Sequence, residues 1–146
     1  MDGRPIDHVA VVVKDLAEAE RTYAALGFAI RYRERVLDQG VDIVGMRAGD
    51  STIELLKPIA EGSPLDRFRG DKEGRLHHVA YRVVDLGAEL RRLKEAGIRL
   101  IDARPRLGAH GNLVAFIHPS ATGGTLIELC QPQNLGTRAR DADTLG

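Results

Sequence analysis

The chain has no tryptophan, three phenylalanines, three tyrosines and one cysteine among 146 residues. So few rings argue against a base-stacking platform for single-stranded nucleic acid. A lone Cys130 excludes an internal disulfide and fits a reducing, cytoplasmic compartment. Charge of one sign is also lacking, because 21 Lys+Arg stand against 21 Asp+Glu. Nucleic acid and anionic membrane surfaces reward a basic excess, so neither is expected as a partner. No long hydrophobic run occurs. No run exceeds five residues, the length of Val9 to Val13, whereas a bilayer span needs about 20 apolar residues. The first residues also lack the basic-then-apolar pattern of a signal peptide. What remains is the composition of an ordinary globular protein, 43% hydrophobic and 29% charged. At about 150 residues per domain, the length allows one domain or two small halves sharing a core.

The halves are visible as an internal repeat. Ile6 to Ile30 superposes on Leu76 to Leu100 without a gap at an offset of 70. His8 meets His78, Val9-Ala10 meets Val79-Ala80, Asp15-Leu16 meets Asp85-Leu86, and Gly27 meets Gly97. Further on, Ile53-Glu54-Leu55 matches Ile127-Glu128-Leu129, and Pro58 matches Pro132. Each copy begins with a β-branched run that predicts a buried strand, Ile6 to Val13 in the first. Asp15 and Asp85 then stand as helix N-caps, and Gly27 and Gly97 as stops. The helical stripes are Leu16, Ala19, Tyr23 and Leu26, and Leu86, Leu90 and Leu93. Three strands are predicted after each helix. They are Ala29 to Val36, Val41 to Ala48 and Ser51 to Leu56, then Arg99 to Ala103, Asn112 to Ile117 and Leu126 to Cys130. The chain is thus read as α+β, with two tandem βαβββ units at roughly 1–60 and 73–132 in one domain of 1–133. Gly62-Ser63-Pro64 is read as a break in the connector, and 134–146 as a mobile tail.

Strand parity selects the chemistry. His8, Ala10 and Val12 share one face of the first strand, and His78 holds the matching place in its own. Glu54 and Glu128 each interrupt an apolar strand, and a buried carboxylate is costly unless it is paired or metal-bound. Alone, each histidine would be a hydrogen-bonded core residue and each glutamate a solvent-facing one. Recurrence of both pairs in a repeat that has lost most other identities points instead to a His₂Glu₂ metal site. Mixed N and O donors with two open positions suit Co²⁺, with Mn²⁺, Ni²⁺, Mg²⁺ or Zn²⁺ as alternatives. His77 faces away from His78 and is read as structural. His110 lies in a glycine-flanked loop, His118 ends a strand, and Cys130 is read as a buried filler. Lys57, Arg67, Arg69 and Lys72 are read as a solvated charged connector, with contact to ligand phosphates as the other reading.

These residues resemble the vicinal oxygen chelate (glyoxalase/bleomycin resistance/dioxygenase) superfamily and, within it, the methylmalonyl-CoA epimerase family, over residues 5–132. The motifs are Ile6-Asp7-His8, Ile53-Glu54-Leu55-Leu56 with Pro58, Ser63-Pro64 and Leu76-His77-His78-Val79-Ala80. Gly108-Ala109-His110-Gly111, His118-Pro119 and Gly123-Gly124-Thr125-Leu126-Ile127-Glu128-Leu129 complete them. The resemblance implies a cup-shaped mixed sheet around a metal site with helices outside, an acyl-CoA substrate and a homodimer. It implies His8, Glu54, His78 and Glu128 as metal ligands, the second being glutamine in some members. The implied reaction removes and returns the C2 proton through an enolate stabilised by the ion. Glu128 and Glu54 are the candidate proton carriers, with Asp42 in reserve should the strand register slip by one. Some members place a glutamate where this chain has Ile43, and many a lysine where it has Ser120. A glyoxalase-type isomerase and a metal-free small-molecule-binding protein remain the alternatives.

Overall fold

The computed structural model describes residues 3–133. The expected tail at 134–146 lies outside the described residues. The chain divides into two units, one formed by residues 8–77 and the other by 3–7 with 78–133. Both are βαβββ units with mixed sheets, as the repeat predicts.

In the first unit, strand β1 (Ile6–Val13) leads to helix α1 (Leu16–Ala25). Strands β2 (Ala29–Val36), β3 (Val41–Ala48) and β4 (Ser51–Pro58) follow. The order is β2-β3-β4-β1, with β1 parallel to β4 and the other pairs antiparallel. Asp15 caps α1 by accepting from the Glu18 amide at 3.0 Å. At the other end Gly27 takes φ +105°, and the Phe28 amide reaches back to the Tyr23 carbonyl. This turn corrects the expected stripe. Leu26 ends the helix 67% exposed, and Phe28 packs in its stead beside Leu16, Ala19 and Tyr23. These side chains cover the sheet face of Val13, Val44, Met46 and Leu55.

The connector contains a helix where a break was read. Ser63 accepts from the Asp66 amide and Pro64 opens helix α2 (Pro64–Arg69). Gly62-Ser63-Pro64 is therefore a start signal, since proline suits the first turn, where its missing N–H costs nothing. Strand β5 (Gly74–Arg82) comes next.

In the second unit, helix α3 (Leu86–Glu95) and strands β6 (Arg106–Leu107), β7 (Leu113–Ile117) and β8 (Ile127–Gln131) follow β5. The order is β5-β8-β7-β6, with β5 parallel to β8. Asp85 caps α3 through the Ala88 amide. Leu86 and Leu90 are fully buried against Val83, Ala115, Ile117 and Leu129, with Leu93 beside them. Each such leucine stabilises the unit by about 1.5–3 kcal/mol. α1 buries no residue to that degree. The strand expected at Arg99 to Ala103 is replaced by a single bridge, Leu100 to Ile117, and by the short β6 further on. The Asp102 carboxylate accepts from the Phe116 amide at 2.8 Å, which takes the place of a ladder bond at this edge.

Candidate metal centre

In the first unit, β1 and β4 run in parallel with His8 beside Thr52 and Ala10 beside Glu54. His8 and Glu54 are 4% and 5% exposed. The His8 Nε2 lies 3.6 Å from Glu54 Oε1. The second unit repeats this construction. Ala80 pairs with Glu128, and His78 Nε2 lies 3.3 Å from Glu128 Oε2. In both units the carboxylate stands beside an alanine of 0% exposure. A small neighbour leaves space for the carboxylate head, and the adjacent histidine supplies a nitrogen donor.

An aromatic ring lies on the carboxylate-bearing face of each unit, by different routes. In the second unit Phe116 pairs with Glu128 across β7 and β8. Its ring meets His78 edge-on at 5.2 Å, and the Arg106 guanidinium stacks on it. In the first unit Gly45 occupies the place opposite Glu54. Tyr32, from β2, lies over that glycine, and a Cβ built at Gly45 would fall 2.4 Å from Tyr32 Cζ. Gly45 is a position where only hydrogen fits.

The β2 strand reaches this face through a bulge. Ile30 pairs with Met46 and Tyr32 with Gly45, so Arg31 is the extra residue. Arg31 and Tyr32 are consecutive and both buried. Arg31 Nη1 donates to Thr52 Oγ1 at 3.2 Å. Sequence reasoning missed both residues because alternation places neighbours on opposite faces. Its one available signal was a glycine inside a strand, which marks close approach.

Asp42 does not join the candidate face. It projects with Val44, on the helix-covered side, and is gripped by Arg35 through bonds of 2.7 and 2.9 Å. The hydrogen bond from Arg35 holds its carboxyl below the usual carboxylate range. A proton carrier at Asp42 is thereby corrected: parity and ion pairing both remove it. Ile43 lies on the Glu54 face, with Glu34 directly across from it on β2.

The remaining sequence candidates have local structural roles. His77 meets Phe68 edge-on at 4.8 Å. His118 Nδ1 accepts from the Ser120 amide at the start of a 3₁₀ turn. His110 takes φ +58° next to Gly111. Asp7 is fully buried and ion-paired with Arg82 at 3.3 Å. Arg67 donates to the Gly62 carbonyl and Arg69 to the Lys72 carbonyl, so these guanidinium groups close the α2 region. Cys130 is fully buried.

The donor chemistry of each pair fits a divalent cation. In each unit an imidazole nitrogen beside a carboxylate makes a borderline-to-hard donor pair, buried from water. A buried carboxylate beside an imidazole gains from a cation that both can ligate.

A family model described as Glyoxalase/Bleomycin resistance protein/Dioxygenase superfamily matches residues 7–116. The chain is 40% identical over 134 residues to the ethylmalonyl-CoA/methylmalonyl-CoA epimerase of Cereibacter sphaeroides, covering 90% of this chain and 99% of that protein. It is similar to the crystal structure of methylmalonyl-CoA epimerase from Mycobacterium tuberculosis, with a TM-score of 0.80, 35% identity and 87% of each chain covered. A methylmalonyl-CoA epimerase in complex with methylmalonyl-CoA and NH4+ gives a TM-score of 0.82 at 28% identity, covering 89% of this chain and 95% of that one.

Proposed function

The chain belongs to the glyoxalase/bleomycin resistance protein/dioxygenase superfamily, and on that premise we propose that it is an isomerase interconverting the two C2 epimers of methylmalonyl-CoA. Sequence identity to an epimerase over nine-tenths of the chain carries this reading. A buried His–Glu pair in each unit supports it. His8, Glu54, His78 and Glu128 are proposed to hold one divalent ion, Co²⁺ in the first place, with Mn²⁺, Ni²⁺, Mg²⁺ and Zn²⁺ as the other candidates. When bound, the ion supplies Lewis-acid stabilisation of the negative charge that develops as the C2 proton leaves.

The residues themselves handle the proton. Inversion requires the C2 proton to pass to one carboxylate and a proton to return to the opposite face from the other, which must start as the acid. Glu128 and Glu54 are assigned these parts, Glu128 first. An oxygen of each carboxylate would take or give the proton. Burial at 5% exposure and the Phe116 and Tyr32 rings keep bulk water from quenching the carbanion. An acyl-CoA is the proposed partner, and the enzyme is proposed to act in the cytoplasm as a homodimer, which light scattering would test. Among the described residues no helix is long and apolar enough to cross a membrane.

The deciding experiment is conversion of one enantiomer of methylmalonyl-CoA, followed with a stereospecific coupled mutase, alongside ethylmalonyl-CoA and a glutathione hemithioacetal. Turnover of malonyl-type thioesters alone supports the proposal. Turnover of the hemithioacetal alone transfers the protein to a glyoxalase-type reaction. One extra methylene changes binding by only about 1–3 kcal/mol, so ethylmalonyl-CoA is expected to turn over as well.

A further inference from the structure

The register of the second unit gathers a set of side chains on one face. Arg106 pairs with Val114 across β6 and β7. Phe116, one pleat further along β7, pairs with Glu128 on β8, and Glu128 pairs with Ala80 on β5. Paired residues point the same way, so Arg106 stands on the face of His78 and Glu128. The contacts agree. The guanidinium carbon lies 5.2 Å from the Phe116 ring centroid, and the same ring meets His78 edge-on, also at 5.2 Å.

Arg106 is held in this place. Its side chain is 42% exposed, and an arginine left to water carries about 2 kcal/mol of rotamer entropy. Here Asp102 Oδ2 pairs with its Nε at 3.3 Å. The same carboxylate oxygen accepts from the Phe116 amide at 2.8 Å. One side chain therefore ties the guanidinium to the backbone that carries its ring, and the stack adds about 0.5–1 kcal/mol. Asp102 takes the Nε edge and the ring takes one face. The Nη1–Nη2 edge is then set to grip a carboxylate through two parallel bonds.

The repeat supplies a control. In the first unit the corresponding registers put Gly45 opposite Glu54 and Glu34 opposite Ile43. Where the second unit has Phe116 and Arg106, the first has Gly45 and Glu34. The βαβββ fold thus forms without this cation and without its ring, and both are features of the second unit's site. Two ring contacts separate Arg106 from His78. In an acyl-CoA the phosphates lie beyond the whole pantetheine arm, whereas the acyl carboxylate is bonded directly to the reacting C2. The short separation favours the carboxylate.

We propose that Arg106 recognises the free carboxylate of a malonyl-type acyl group and so makes the site prefer dicarboxylic over simple acyl thioesters. The assignment rests on the epimerase reading. It makes Arg106 a specificity residue, with no part in proton transfer.

The test compares methylmalonyl-CoA with propionyl-CoA, which differ by that carboxylate, in calorimetric titrations of the metal-loaded protein. The wild type is expected to prefer methylmalonyl-CoA. Arg106→Met should weaken methylmalonyl-CoA about 10- to 100-fold and leave propionyl-CoA within about twofold. Arg106→Lys, a point charge without the fork, should retain part of the preference. It also carries the test if the methionine variant does not fold. A loss shared equally by both ligands assigns the guanidinium to the CoA portion they have in common and overturns the proposal. A preference that neither variant changes overturns it as well, and in both cases the epimerase reading stands. Wild-type protein that binds neither ligand overturns both.

Discussion

Gly45→Ala is expected to change sign with its surroundings, and the structure says why. The added methyl carbon would sit 2.4, 2.5 and 2.6 Å from three carbons of the Tyr32 ring, where ordinary contact begins at 3.4 Å. The ring must retreat by about 1 Å inside a packed face. Tyr32 is 5% exposed, so it has little open space to enter. Overpacking of this kind costs about 1–3 kcal/mol. Without the ring the same substitution relieves the entropic cost of glycine in a strand interior and should stabilise by about 0.5–1 kcal/mol. Urea unfolding of the wild type, Gly45→Ala, Tyr32→Ala and the double variant closes the cycle. Gly45→Ala should destabilise the wild type and stabilise the Tyr32→Ala protein, a coupling of at least about 1.5 kcal/mol. Effects of equal sign and size in the two backgrounds would refute the contact and the reason given for glycine at this position.

Other outcomes follow from the same structure. Leu90→Ala, in the core of the second unit at 2% exposure, should cost about 2–5 kcal/mol. Leu26→Ala, at an exposed helix end, should stay within about 0.5 kcal/mol; comparable losses in the two would contradict the packing described. The hydrogen bond from Arg92, with help from Arg4, holds the Glu89 carboxyl below the ordinary glutamate range. Its folded value being the lower one, its stabilising effect is complete above the ordinary value and fades as pH falls through the depressed one. Thermal melts should therefore show the wild type ahead of Glu89→Gln at neutral pH and the gap closing in acid; a gap that widens in acid would be the wrong sign. Metal analysis should find one divalent ion per chain, and His8→Ala and His78→Ala should each weaken binding at least about 10-fold. Two independent ions per chain would break the proposed shared site.

Much of this was legible in the sequence because a repeat carries its own control. His8 with His78 and Glu54 with Glu128 stood out by recurring while helix surfaces diverged, whereas the pairing of each histidine with the glutamate of its own unit came from the structure. The helix caps at Asp15 and Asp85 were equally plain, since capping is a local contact of three residues. What escaped was whatever broke a local rule. The bulge at Arg31 defeats alternation, because one extra residue re-aims its neighbour without any mark of its own. Ser63-Pro64 reads as a stop or as a start, and only the Asp66 amide on Ser63 decides for a helix. The edge at Arg99 to Ala103 has strand-like composition, yet the Asp102 side chain takes a ladder position that the backbone would fill.

Solvent deuterium incorporation at C2 of methylmalonyl-CoA, read by mass spectrometry, tests the central claim most directly. Co²⁺-loaded, chelator-treated and Glu128→Gln proteins would be run side by side. The account predicts incorporation by the loaded protein, its loss on chelation, and its loss in Glu128→Gln with methylmalonyl-CoA binding still measurable. Undiminished exchange by Glu128→Gln would contradict the proton-carrying role. Absence of exchange by a wild type that demonstrably holds metal and binds methylmalonyl-CoA would contradict the epimerase itself.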